Sequence, residues 1–153
     1  MLHNDTAAVF AAVFAALYAA HHIGDQWVQT HHQACTKGGP GWTGRLACLR
    51  HVVTITVTKL ITVTTTSAVI GLSLSPITVA LALALDAASH YWADRRSPLA
   101  RLAELLGKGD YYRLGAPRLG RDDNPSTGTG AFHLDQSWHI AWLWITALII
   151  AAC

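Results

Sequence analysis

Charged residues are scarce in this chain of 153 residues. Asp, Glu, Lys and Arg together make up 13% of the sequence, whereas an average soluble domain carries about 25%. Hydrophobic residues make up 52%, so the chain lacks the charged surface that would keep a globule in water. The length has room for one domain, which we expect to occupy residues 1–153. The composition therefore predicts a single domain that lies in lipid.

Paired cysteines and a basic leader are also lacking. Cys35, Cys48 and Cys153 form no Cys-x-x-Cys pair and are odd in number, which argues against a disulfide framework and leaves free thiols as the expectation. The chain begins Met-Leu-His-Asn-Asp, without the basic residues that precede the apolar run of a signal peptide. We therefore interpret the first apolar segment as a membrane span.

Four apolar segments are each long enough to cross a hydrocarbon core of about 30 Å as a helix. The predicted spans are residues 7–27, 47–74, 76–93 and 132–153. The second segment is rich in β-branched residues, but a lone spanning strand would leave its backbone polar groups unpaired in lipid. The sequence therefore predicts an all-α fold, a four-helix transmembrane bundle.

The two long connections, residues 29–46 and 94–130, lie on the same side of such a bundle. Ten of the 11 Lys and Arg residues, all but Lys59, fall on or next to that side. The positive-inside rule makes this side cytoplasmic and puts both termini outside. Leu alternates with Arg and Glu from Pro98 to Leu106, which predicts a short cytoplasmic amphipathic helix. We expect a multi-pass protein of the bacterial inner membrane, with a net charge of +2 that follows from topology and not from nucleic-acid binding.

Histidines and acidic residues recur at the cytoplasmic ends of all four spans. Residues at positions i and i+4 share one face of a helix and can reach one ligand together. This spacing joins His21, Asp25 and Gln29, then Asp86, His90 and Asp94, then Asp135 and His139, while His51 lies near the start of the second span. An ionisable group inside a span is costly unless it is paired or hydrated. A shared polar site at the cytoplasmic face explains the recurrence.

Imidazole nitrogens and carboxylate oxygens together suit a divalent metal, zinc first and iron or manganese after it. The candidate ligands are His21 or His22, His51, His90, His139, Asp25, Asp94 and Asp135. This set exceeds the four ligands of a simple zinc site, so some members must orient a histidine, act as a base for a bound water or hold a second ion. The candidate catalytic bases are Asp25, Asp94 and Asp135.

Other polar residues are candidates for supporting roles. Those expected to support the ligands are Gln29, Gln136, Asp86 and Lys59. A Lys59–Asp86 ion pair deeper in the bundle would serve as structural glue or as a step in a proton path. The candidates for substrate binding are Arg113, Arg118 and Arg121, in a Gly-rich loop that could close over the site and contact an anionic head group.

Simpler interpretations compete with each of these roles. The loop arginines can serve only to fix topology, and a single histidine near an interface is usually just a hydrated side chain. His31, His32 and His133 are expected to be such loop residues. The coincidence of stripes on several spans at one depth favours a shared site.

The motifs His-x-x-x-Asp-x-x-x-Gln from His21, His-x-x-x-Asp from His90 and Asp-Gln-x-x-His from Asp135, together with His51, resemble a bacterial membrane family catalogued as a domain of unknown function. The likeness covers about residues 19–147, and Asp-Gln-x-x-His is its most specific part. In layout the chain is also similar, more loosely, to inner-membrane proteins labelled metal-dependent hydrolases. The resemblance implies a membrane location and a shared polar site, and it implies no particular reaction.

The function that these residues favour is hydrolysis of a lipid, or of another phosphate or acyl compound, by a metal centre at the cytoplasmic face. A second hypothesis is a metal-ion or proton transporter that uses the same cluster. A third is a structural membrane subunit whose polar residues hold the helices together. The expected partner is the lipid bilayer, and the expected substrate is an anionic lipid or a small molecule. Assembly into a homo-oligomer is compatible with the sequence.

Overall fold

A computed structural model of the chain describes residues 6–116 and 128–152, and the regular structure in these ranges is entirely helical. In chain order the helices are α1 (Thr6–Ile23), which continues into a π-helical turn (Gly24–Val28), then α2 (His31–Thr36), α3 (Gly41–Ile70), α4 (Pro76–Asp94), α5 (Ser97–Leu105), α6 (Gly109–Arg113) and α7 (Gly130–Ala152). The predicted all-α fold is confirmed, and the β-branched second segment is helical.

The four long helices form a bundle. Helix α1 packs against α3 and α7, and α4 packs against the same two helices, so the order around the bundle is α1, α3, α4, α7. Hydrophobic side chains fill one half of its interior, namely Val9, Val13, Leu17, Val63, Val79, Leu83, Leu143, Ala147 and Ile150. These residues come from the start of α1, the end of α3, the start of α4 and the end of α7. The apolar core therefore occupies the end of the bundle that holds the α3–α4 turn.

The α3–α4 turn is built from ordinary helix-end signals. Gly71 ends α3 with φ +72°, the left-handed conformation that favours glycine. The Ser75 side chain caps α4 by accepting a hydrogen bond from Thr78 N, and Pro76 lies in the first turn. The short connection makes α3 and α4 an antiparallel hairpin.

Helix ends and apolar segments do not coincide. Helix α3 begins at Gly41, before the predicted span from 47, and ends at Ile70 instead of 74. Hydropathy detects the apolar part of a helix, and the first turns of α3 carry polar residues such as Arg45. The polar connection 29–46 therefore contains α2 and the start of α3. The connection 94–130 contains α5, where the amphipathic helix is predicted, and α6, while its residues 117–127 lie outside the described ranges.

Two helical stretches, Thr6–Val28 and Gly41–Ile70, are long and apolar enough to cross a membrane. The core helix of a soluble protein or a signal sequence can share these properties. Helices α4 and α7 are not among these candidate spans. Polar residues lie toward one end of each helix: Asp86, His90 and Asp94 in α4, and His133, Asp135 and His139 in α7. Two candidate spans are thus present, and the four-span arrangement stays a prediction.

A buried ion pair joins α3 to α4 deep in the bundle. Lys59 Nζ donates a hydrogen bond to Asp86 Oδ2 at 2.6 Å, and the two side chains are 0% and 3% exposed. The ion pair expected from the sequence is therefore present. A charge at this depth without its partner would be strongly unfavourable, so the pair fixes the register of α3 against α4.

Removing one partner of this pair should destabilise the fold more than removing both. We expect Lys59→Met or Asp86→Leu alone to lower the free energy of unfolding by about 3 kcal/mol, because each variant leaves a buried charge unpaired. The double variant should recover most of this loss. Denaturant unfolding of the purified protein measures the difference, and equal destabilisation by all three variants would contradict the cost assigned to an unpaired buried charge.

Candidate metal centre

Histidines from four helices meet at the end of the bundle opposite the apolar core. Helix α1 contributes His21, α3 contributes His51, α4 contributes His90 and α7 contributes His139. Their side chains are between 0% and 3% exposed. With the neighbouring acids they form what we call the His/Asp cluster: His21, His51, His90, His139, Asp25, Asp94 and Asp135. The structure thus brings together ligand candidates that are remote in sequence.

Two carboxylates contact most of the imidazoles. Asp25 lies 3.3 Å from His21 through Oδ2 and 3.0 Å from His51 through Oδ1, measured to Nε2 in both cases. Asp94 Oδ2 lies 3.3 Å from His51 Nε2 and 3.2 Å from His90 Nε2. The Nε2 atoms of His51 and His90 are themselves only 3.1 Å apart. The acids and imidazoles therefore direct their polar atoms at a common point.

Helix α7 completes the cluster from the other side. His139 Nε2 lies 3.5 Å from Asp135 Oδ1 and 3.9 Å from Asp94 Oδ1. The rings of His90 and His139 stack with their centroids 4.0 Å apart. Trp138 Nε1 donates a hydrogen bond to Ser89 Oγ at 2.9 Å, which ties α7 to α4 next to the histidines. His139 is therefore fixed in position by its neighbour in sequence.

Several polar atoms of the cluster are buried without a hydrogen bond. No donor or acceptor in the described residues forms a hydrogen bond with Asp94 Oδ2, His139 Nε2, His90 Nδ1 or either ring nitrogen of His21. A buried polar atom left in this way costs about 1–3 kcal/mol. A cation would satisfy nitrogen lone pairs and carboxylate oxygens at the same time, so the cluster has the chemistry of a metal site.

Two sets of three side chains could each hold a metal ion. They are Asp25, His51 and His90, and His90, Asp94 and His139, and within each set the ligand atoms lie within 4.8 Å of one another. Both sets include His90, and one imidazole nitrogen offers a single lone pair. The two sets therefore overlap at His90, and one ion near His90 could take its ligands from either set.

The π-helical turn after α1 positions Asp25. Gly24 begins this turn, and a β-carbon at Gly24 would collide with the Ile55 side chain of α3. The missing side chain lets α1 and α3 approach closely, which brings Asp25 within reach of His51. The i, i+4 pattern does not predict this turn, although π-helical turns are frequent at functional sites. A glycine within an apolar span is the one signal for it in the sequence.

Gln29 follows the same turn and contacts His51. Its Nε2 atom lies 3.0 Å from His51 Nδ1. The amide oxygen and nitrogen of a glutamine interchange by a flip, so the oxygen can equally accept a hydrogen bond from Nδ1–H. In that arrangement His51 keeps its Nε2 lone pair directed into the cluster, as supporting residues of metal sites do. This contact fits the supporting role predicted for Gln29.

Lys37 belongs to the site, and the sequence pattern does not reveal it. Its Nζ lies 2.8 Å from Asp94 Oδ1. The connection that carries Lys37 is held to the end of α4 because Arg95 donates hydrogen bonds to the Lys37 carbonyl and, at 2.6 Å, to the Gly39 carbonyl. Lys37 lies in a polar connection, outside every stripe defined by i, i+4 spacing, so only the fold brings it to Asp94.

Two predicted site residues lie at the edge of the cluster. His22 points away from it, with its ring 4.6 Å from that of Tyr18 and its Nδ1 3.4 Å from Gln26 Nε2. Gln136 Nε2 lies 3.4 Å from Asp135 Oδ2, where it can orient that carboxylate. Of the two alternatives His21 and His22, the structure therefore puts His21 in the cluster.

The remaining predicted residues lie elsewhere. Lys59 and Asp86 bind each other deeper in the bundle. Arg113 is exposed and pairs with Glu104 and Asp110 on the surface. Arg118 and Arg121 lie outside the described residues. His31, His32 and His133 are exposed, but they lie in helices α2 and α7 and not in loops as predicted.

Comparisons with protein-family models, with curated proteins and with solved structures give no match for this chain. The resemblance to a bacterial membrane family therefore stays a prediction, and function is inferred from the geometry of the site alone.

Loss of a central histidine should abolish metal binding. We expect His90→Ala to retain little or no zinc after loading and desalting, because His90 belongs to both candidate sets. Elemental analysis of the purified protein measures the zinc bound per chain. His133→Ala is the matched control, since His133 is exposed and lies outside the cluster. A similar zinc content in wild type and His90→Ala would contradict a metal centre at this position.

A supporting contact should tune metal affinity without abolishing it. We expect Gln29→Ala to weaken zinc affinity by about 10-fold to 100-fold, because His51 loses the group that orients its ring. Competition with a chromogenic chelator gives the affinity. Gln26→Ala, in the same turn but beside His22, should leave it unchanged, and an equal effect of both variants would rule out a specific role for Gln29.

Proposed function

We propose that this chain is an integral membrane protein whose His/Asp cluster binds a divalent metal ion and hydrolyses a phosphate or acyl ester at the membrane surface. The observation that carries the proposal is the burial of unpaired imidazole nitrogens and carboxylate oxygens from separate helices around one point. Helix association alone would need fewer acids and would leave fewer buried polar atoms without a hydrogen bond. A metal-binding role accounts for both the excess of acids and the unpaired nitrogens.

Exposed apolar stripes support a bilayer around the whole bundle. On α4, Ile77, Leu81 and Leu85 follow one another at i, i+4 spacing and are 74%, 66% and 45% exposed. Trp144 and Leu148 on α7 have the same spacing and are 50% and 40% exposed. Large contiguous apolar patches are rare on soluble monomers. We therefore assign α4 and α7 to the bilayer as well, beside the two candidate spans.

The distribution of basic residues supports an orientation. Arg95 and Arg96 follow α4 at the cluster end, and nearly all other Lys and Arg residues lie in the connections or helix ends at that end of the bundle. By the positive-inside rule, the cluster faces the cytoplasm of a bacterial inner membrane, with both termini outside.

The nitrogen-rich ligand set favours zinc, with iron or manganese as alternatives. His51, His90 and His139 are the proposed ligands, together with Asp94 or Asp25. A divalent ion held there would acidify a water molecule and polarise the scissile group. Asp135 is the proposed general base, because it lies beside His139 and remains 27% exposed, so it can accept a proton from water at the edge of the cluster.

An ion or proton carrier is the second candidate, and the Lys59–Asp86 pair is the observation that favours it. The pair puts two ionisable groups deeper in the bundle than the cluster, where a transport path would need them. Such a protein would bind the same metal without turning over an ester.

Ester hydrolysis by the purified protein tests the proposal. We expect zinc-loaded wild type to hydrolyse 4-nitrophenyl phosphate esters or acyl esters, and chelation to remove the activity. Asp135→Asn should lower kcat by about 100-fold or more, because an amide cannot take the proton. Asp110→Asn is the matched control, since Asp110 contacts Arg113 on the surface.

The outcomes separate the two candidates. Zinc binding without hydrolysis of any ester, combined with zinc or proton flux into proteoliposomes that His90→Ala abolishes, would replace the hydrolase with the carrier. Hydrolysis that survives both chelation and Asp135→Asn would refute the proposed chemistry.

A further inference from the structure

A cavity of about 690 Å³ opens beside the His/Asp cluster. Three cluster carboxylates line it, Asp25, Asp94 and Asp135, and so do two cations, Lys37 and Arg96. Cavities of this size accommodate small ligands. Because three carboxylates of the cluster form part of its wall, a molecule in this cavity can contact the cluster on its carboxylate side.

Lys37 stands between the cavity and the metal centre. Its Nζ contacts Asp94 Oδ1 at 2.8 Å, while its side chain is 13% exposed. Asp94 in turn contacts His90 at 3.2 Å. A negatively charged group bound by Lys37 would therefore lie next to the groups that would hold the metal ion. The charged group and the reacting bond of a substrate must be adjacent, or be one and the same group.

Arg96 is held at the cavity wall by an unusual backbone conformation. It adopts φ +60° and ψ −50°, and it is the one residue other than glycine with positive φ in the described ranges. Such a conformation costs about 1–3 kcal/mol. The side chain lies against Gly38, where a β-carbon would collide with it, and its Nη2 donates a hydrogen bond to Ala34 O at 3.3 Å. The fold thus accommodates backbone strain at Arg96, and this conformation puts the Arg96 guanidinium beside the cavity.

The rest of the lining is partly apolar. Leu99, Phe132 and Ile140 contribute hydrophobic surface, and Phe132 is 54% exposed. Tyr112 also lines the cavity, and burial raises the pKa of its phenol, as does the negative charge of Asp135. The phenol therefore stays protonated at neutral pH and can donate a hydrogen bond. This wall suits a molecule with an apolar substituent next to an anionic group.

The net charge of the cavity lining limits the charge of the anion that can bind there. Three carboxylates against two cations leave one excess negative charge, which would repel an anion. One divalent ion in the cluster reverses this to one excess positive charge. A phosphodiester carries a single negative charge at neutral pH and matches it, whereas a phosphate monoester carries about two.

We infer that Lys37 and Arg96 form an anion subsite that binds the phosphate of a phosphodiester with an apolar substituent, and that this phosphate is the group hydrolysed. The inference rests on the proposed hydrolase function and specifies its substrate class. In the reaction, the oxygen of a water molecule bonds to phosphorus and one P–O ester bond breaks. Asp135 takes one proton from that water and passes it to the departing alkoxide, which gives an alcohol and a phosphate monoester.

Binding of dibutyl phosphate tests the subsite. We expect zinc-loaded protein in nonionic detergent to bind this phosphodiester in a calorimetric titration. Lys37→Met and Arg96→Gln should each raise its Kd by about 10-fold or more, because each removes a charge-assisted hydrogen bond. Lys37→Arg should largely restore binding. The matched controls are Lys108→Met and Arg101→Gln, which change exposed cations that do not line the cavity.

Zinc content and two phosphodiester sources complete the test. With zinc kept at saturation, every variant should hold as much zinc per chain as wild type, even where loss of the Lys37–Asp94 contact changes the zinc affinity. This measurement separates loss of the anion subsite from loss of the metal. Phosphorus NMR should detect a monoester product from dibutyl phosphate in solution or from phosphatidylglycerol in nanodiscs, and product from the nanodiscs alone would assign the substrate to the bilayer.

Three results would overturn the inference. One is zinc binding without binding or hydrolysis of either phosphodiester. Another is an equal rise in Kd for the matched controls. The third is hydrolysis of the neutral ester 4-nitrophenyl butyrate with the same kcat/KM in wild type, Lys37→Met and Arg96→Gln, without hydrolysis of phosphodiesters. That last result would leave the hydrolase proposal standing and remove only the anion subsite.

Discussion

The burial of four imidazoles with their carboxylates is the constraint on which the rest of the site depends. Protonated imidazoles could pair with the acids, but His51 Nε2 and His90 Nε2 are 3.1 Å apart, so two like charges would face each other away from water. Neutral imidazoles avoid this repulsion and leave unused lone pairs beside carboxylates. A shared cation would bind the lone pairs of neutral imidazoles and the carboxylates together, without repulsion between protonated rings. The neighbouring helices hold the imidazoles at the distance that this requires.

Contacts between several elements around the cluster keep the four imidazoles close together. The close contact of Gly24 with Ile55 brings α1 to α3, and Trp138 ties α7 to Ser89 of α4. Arg95 fastens the connection that carries Lys37. The apolar core occupies the opposite end of the bundle, so hydrophobic burial stabilises the helices there while their polar ends converge on one point.

Sequence reasoning identified the four long helices, α5 and most of the cluster because these depend on periodicity, but it did not predict α2, α6 or the π-helical turn. The i, i+4 spacing placed His90 with Asp94, and antiparallel topology brought them to His51 and His139. It did not find Lys37 or Arg96, because their positions depend on how a polar connection folds back over α4. Nor did it choose between His21 and His22, since adjacent residues point to different sides of a helix and only packing selects one of them.

The Lys59–Asp86 pair has a consequence for biogenesis. A lysine or aspartate inserted alone at the centre of a membrane helix opposes insertion by about 2.5–3.5 kcal/mol. In the proposed membrane topology, the two charges lie on spans joined by a tight turn, so they can neutralise each other before either helix is exposed to lipid. Helices α3 and α4 would then leave the translocation machinery together, as one preassembled hairpin.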